Sequence, residues 1–72
     1  MKQKTLDKIF LFLRKRGNST VGQVALGCDL SYNTTKKYLK HLCDTNWALY
    51  KETEYRPRFM VKVYRPNDEI PF

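Results

Sequence analysis

The stretch Thr20–Cys43, TVGQVALGCDLSYNTTKKYLKHLC, constrains the fold more than any other part of the chain. Val21, Val24, Ala25 and Cys28 recur at the spacing of one helix face. Asp29-Leu30-Ser31 then breaks the period: Asp29 suits a turn, Leu30 plugs the corner and Ser31 caps a following helix. From Tyr32 to Asp44 the helical period returns. At about 100° per residue, Tyr32, Thr35, Tyr38, Leu39, Leu42 and Cys43 fall on one side, with Tyr32 at the margin of either face. Asn33, Thr34, Lys36, Lys37, Lys40 and His41 fall on the other, with no acidic residue before Asp44. A helix face that is merely solvated mixes signs to gain i, i+4 pairs; a face of one sign needs a partner of the other.

What precedes this stretch gives it something to pack against. In residues 4–16, KTLDKIFLFLRKR, the positions Leu6, Ile9, Phe10 and Leu13 make a helix face that Phe12 widens, while Leu11 points away from it. Thr5 is the expected N-cap, Asp7 suits the first turn, Lys15 and Arg16 suit the last, and Gly17 is a natural stop. Thr20 or Ser19 caps the second helix, which Gly22 and Gly27 weaken by about 1 kcal/mol each relative to alanine. Ala25 is small enough to let two helix backbones approach.

After Asn46 the period changes to two. Residues 47–53, WALYKET, and 59–65, FMVKVYR, read as strands joined by the polar connection Glu54–Arg58 with proline at its centre. In the second strand Phe59, Val61 and Val63 share one face, and Met60, Lys62 and Tyr64 the other. Pro66 ends that strand. Residues 1–66 form one domain and 67–72 a short tail ending in Ile70, Pro71 and Phe72, with a brief extra strand near Ser19–Val21. Trp47 and Tyr38, on apolar faces, are expected in the core.

Composition narrows the function. With 72 residues there is room for one core and little for a cleft besides. Fourteen basic residues against 7 acidic ones give a net charge of +7, which favours a polyanion. Cys28 and Cys43 make no CxxC pair and His41 is the lone histidine, so no zinc site is expected; a disulfide is left open. No carboxylate pair, nucleophile elbow or phosphate-cradling glycine loop is present, so no enzyme and no cofactor are expected. The N-terminus has neither a signal peptide nor a span, which makes the cytosol, or the nucleoid within it, the default compartment.

The pattern T-V-x-x-V-A-x-x-C-D-L-S-x-x-T over Thr20–Thr34, followed by K-K-Y-L-K-H-L and Asn46-Trp47-Ala48-Leu49, resembles that of winged helix-turn-helix domains, a family of mostly DNA-binding modules. The likeness covers residues 5–65. Asp29 stands where the family usually has glycine, and Thr35 and Cys28 replace larger apolar residues. The resemblance implies an α+β, mainly α, fold: three helices followed by a two-stranded wing. It also implies that helix 32–44 enters the major groove of double-stranded DNA while the wing at 54–58 meets the backbone or minor groove.

On that implication Tyr32, Asn33, Thr34 and Lys37 are the candidates for base contacts, Asn33 through adenine and Thr34 through a thymine methyl. Lys36, Lys40, Ser31 and Thr20 are the candidates for phosphate contacts, and Arg56 and Arg58 for the wing. The expected role is a small sequence-specific transcription regulator acting by occupancy as a homodimer, with neither membrane nor small-molecule partner. Two other readings stand beside it. One is a protein–protein adaptor of the same fold, which would not need an all-basic helix face. The other is a binder of RNA or single-stranded DNA, which would need exposed aromatics, and Tyr32 and Tyr55 are the candidates for that role.

Overall fold

The computed structural model describes residues 2–68. Its element order is α1 (Gln3–Arg16), α2 (Val21–Cys28), α3 (Tyr32–Asp44), β1 (Ala48–Arg56) and β2 (Phe59–Pro66), the strands pairing antiparallel. Three helices followed by a two-stranded hairpin is the expected α+β architecture.

The apolar faces meet in one core. Leu6, Ile9 and Leu13 of α1, Val21, Val24 and Cys28 of α2, and Leu39 and Leu42 of α3 close on one another and on Ala48 and Tyr64 from the strands. Ile9, Leu13, Val24 and Leu39 are completely sealed, each contributing about 1.5–3 kcal/mol through burial. Thr35, polar yet fully buried, satisfies its hydroxyl by donating to the Ser31 carbonyl at 2.8 Å. Leu11 is exposed, and the Phe12 ring lies over α2 in the space that a side chain at Gly27 would need.

Two left-handed residues turn the chain between elements. Asp29 (φ 56) closes α2, with the Leu30 amide reaching back to the Ala25 carbonyl at 2.9 Å. Asn46 (φ 64) closes α3, with the Trp47 amide on the Leu42 carbonyl at 2.8 Å. Both have the Schellman pattern, and both use residues that hold this conformation less comfortably than glycine. Gly17 ends α1 with φ 84, its amide on the Leu13 carbonyl. Ser19 then pairs with Tyr64 through two backbone hydrogen bonds of 2.9 and 2.7 Å, which is the brief extra strand and ties α1–α2 to the hairpin.

Several local expectations are corrected. The first helix starts two residues before Thr5, with Lys2 at the cap and no side-chain cap, so Asp7 falls beyond the first turn; the Gln3 side-chain amide instead donates to the Asp7 carboxylate at 2.8 Å, an i, i+4 pair. The connection between strands is Pro57-Arg58 alone, because pairing continues through Arg56 after a bulge at Tyr55. Trp47 sits at the rim of the core, 39% exposed, with its edge against the Phe10 ring (centroids 5.5 Å, planes at 86°). Tyr38 is half-buried and its hydroxyl accepts from the Lys2 amide at 3.2 Å. His41 is half-buried too: it lines a cleft with Leu6, Phe10, Leu42 and Trp47 and does not join the lysine face. Asn67 stays bonded to the body through the Trp47 and Asn46 carbonyls. The apolar tail end Ile70–Phe72 lies outside the described residues.

Candidate nucleic-acid interface

Because the tight turn at Asp29–Ser31 is closed by hydrogen bonds on both sides, α3 is held with its basic side outward. Lys36, Lys37 and Lys40 are exposed, as is Asn33. Tyr32, which the sequence leaves on either face, goes to the solvent side at 56% exposure. The reason is positional: as the first residue of α3 it precedes the turn that Thr35 and Leu39 bury.

Two capping systems fix the helix starts beside this face. The Thr20 hydroxyl accepts from the Gln23 amide at 3.3 Å, and the Gln23 side chain accepts from the Thr20 amide at 3.0 Å, a complete capping box. The Thr20 N–H is therefore engaged, and what Thr20 can offer an anion is its hydroxyl proton. Ser31 Oγ accepts from the Thr34 amide (3.2 Å) and donates to Thr34 Oγ1 (2.8 Å). Thr34 is half-buried and Ser31 exposed, so these two hydroxyls act first as a cap.

Between α3, the start of α2 and the hairpin runs an open groove of about 590 Å³. It brings together Thr20, Gln23, Tyr32 and Lys36 from the helices with Tyr55, Met60 and Lys62 from the hairpin. A smaller hollow of about 180 Å³ continues it, lined by Lys36, Lys40, Cys43, Asp44, Tyr50 and Lys62. Lys36 and Lys62 border both. Lys62 is the residue that reading of the candidate site from sequence missed. Its signal was the alternation that groups Met60, Lys62 and Tyr64 on one face, since the burial of Tyr64 forces that face toward the helices. Its ammonium lies 5.0 Å from the Tyr50 ring centroid.

Asn33, Thr34 and Lys37 line neither hollow, and Arg56 and Arg58 stand at the far tip of the hairpin. The Arg56 guanidinium lies 5.4 Å from the Tyr55 centroid. Arg58 takes φ 72 behind Pro57, the pattern of a type II turn in which glycine or asparagine is the ordinary choice.

Burial raises the Tyr64 phenol above its ordinary range, with Cys43, Tyr50 and Tyr32 adding to the effect. It raises the Cys43 thiol too, Asp44 reinforcing and Lys62 opposing. The Cys28 thiol is likewise raised by burial against the pull of Lys8. Both thiols are free and neutral at physiological pH, acting as small core residues. Among the described residues no three His, Cys, Asp or Glu side chains gather to hold a metal, and no helix is long and apolar enough to cross a membrane.

The backbone matches solved structures closely. The Zalpha domain of Carassius auratus PKZ in complex with Z-DNA superposes with a TM-score of 0.71 at 22% identity over 88% of this chain and 92% of that one. A PKZ Zalpha in complex with ds(CG)6 gives a TM-score of 0.82 at 18% identity, covering 93% of this chain and all (100%) of the other. The chain is a winged helix. Bacillus subtilis PadR in complex with operator DNA gives 0.76 at 21% identity over 94% of this chain, which accounts for 42% of the PadR chain. No protein-family model matches the sequence, and no curated protein matches it.

Proposed function

We propose that this winged helix binds double-stranded DNA, with α3 in the major groove and the wing against the adjacent backbone or minor groove. One observation carries the reading: Lys36 of α3 and Lys62 of the wing border both hollows and Lys40 the smaller one, so lysines of helix and wing meet on one surface, where Asp44 at the end of α3 and Glu52 beside Lys62 are the acids. The solved winged helices that hold DNA support it at the level of fold. In this reading Asn33, Lys37, Tyr32 and Thr34 face base edges, and Lys36, Lys40, Ser31, Lys62 and the Thr20 hydroxyl hold phosphates. Arg56 and Arg58 extend the contact along the wing. The protein is a binding module, not a catalyst, working in the cytoplasm as a sequence-specific regulator that occupies its site as a homodimer.

Competition binding against randomised duplexes tests these roles. Lys36→Ala and Lys40→Ala weaken binding to all duplexes alike, each lowering the salt slope by about one, whereas Asn33→Ala relaxes preference at one position. Uniform loss from Asn33→Ala would contradict its assignment. The single-strand reading gains one point: Tyr50 and Phe59 are exposed as well as Tyr32 and Tyr55. Single strands that compete as well as duplexes would favour it.

A further inference from the structure

The distal hairpin carries more exposed apolar surface than an arginine contact needs. From Lys51 to Met60 every residue is exposed. Within that span Tyr55, Phe59 and Met60 are 68%, 63% and 55% exposed. Large apolar side chains on a projecting ribbon cost solubility and mark a binding surface. Their setting says for what. Phe59 is the register partner of Arg56 across the Pro57–Arg58 turn, so the tip alternates arginine with aromatic surface. Met60 and Tyr55 continue into the groove that Lys36 and Lys62 border. Arg58 holds a left-handed position that glycine would hold without strain, so the tip keeps a cation at a conformational cost.

The charge selects a polyanion, and the apolar side chains need a dry surface within it. In duplex DNA that surface is the face of a base pair, reached from the minor groove by opening a stack. We infer that the wing is a wedge: Arg56 and Arg58 take the backbone while Phe59 enters a base step and partly unstacks it, Met60 and Tyr55 staying on the groove side of the ribbon. This rests on the duplex-binding reading above. An anionic lipid surface would also accept a basic and apolar tip, but Tyr55 and Met60 of the same tip line the groove that Lys36 and Lys62 border, which favours nucleic acid. The wing then selects sites by how easily a step opens, without hydrogen bonds to base edges.

The test uses the full chain and a mixed-sequence duplex, with and without one central mismatched pair, carrying 2-aminopurine beside that step and a dye at each end. The expected result is about tenfold tighter binding to the mismatched duplex, the scale of one base–aromatic stack. Aminopurine fluorescence rises and the duplex ends move closer. Phe59→Ala loses the preference and the bend with an unchanged far-UV circular dichroism spectrum, and Phe59→Leu regains part of both. Equal binding to both duplexes without bending would overturn the wedge while leaving duplex binding intact; so would an equal loss on both duplexes from Phe59→Ala. If Phe59→Ala abolishes binding to anionic vesicles but leaves both duplexes bound and bent, the tip belongs to lipid and the wedge is wrong. No binding to any duplex at low salt would instead sink the duplex reading, and the wedge with it.

Discussion

In the helical body Ile9, Leu13, Val24 and Leu39 are sealed from solvent, whereas in the hairpin no side chain from Lys51 to Met60 is even half-buried. Both regions are rich in apolar residues. The body spends its own on a shared core, and the hairpin leaves Tyr55, Phe59 and Met60 outside. A two-stranded ribbon gains little stability by itself, so what sits on its outer half answers to a partner. The comparison therefore separates residues that hold the fold from residues that meet a ligand.

The largest effect should come from the body. Leu39→Ala is expected to lower unfolding free energy by about 3 kcal/mol, seen as a shifted denaturation midpoint with unchanged slope. A loss below about 1 kcal/mol would mean that the core is looser than its burial indicates. Next come the left-handed positions. Asp29→Gly and Arg58→Gly should each stabilise the fold by about 1 kcal/mol in thermal melts. Only Arg58→Gly should also weaken duplex binding, which would set the two regions apart within one pair of variants.

Alkaline pH should act on the shared core, to which Tyr64 contributes from β2, and not on the outer half of the hairpin. Burial raises the thiols of Cys28 and Cys43 and the phenol of Tyr64, so the unfolded chain ionises first. The stability they contribute is complete below the ordinary thiol value of 9.0 and is lost as pH rises past it through the higher folded values. Stability that increases over that range would contradict the assignment. The smallest effect belongs to the tip: Phe59→Ala should change stability by no more than about 0.5 kcal/mol.

The body was legible in the sequence because its residues obey a period. Leu6, Ile9, Phe10 and Leu13 announce α1, and the capping of α2 by Thr20 and of α3 by Ser31 follows from side-chain chemistry at fixed offsets. Where tertiary contacts decide, the pattern was silent or misleading. Thr5 is a good cap in isolation, but the Gln3–Asp7 pair lets the helix start earlier. His41 lies on the polar half of a wheel, yet α1 and Trp47 pack against that sector. Tyr32 could not be placed, because a first-turn residue at a face margin is assigned by what lies across from it. Lys62 was visible on an alternating strand, but its role required knowing that Tyr64 turns that face inward. The bulge at Tyr55, which extends the wing and re-aims its tip, has no periodic signature.

The central claim is that α3 and the wing present one basic surface to a duplex. Equilibrium titration of the wild-type chain with duplex DNA over a series of salt concentrations tests it most directly. Log K should fall linearly with log salt, with a slope of about −4 if four phosphates are held. A slope near zero, or no binding even at the lowest salt, would contradict it.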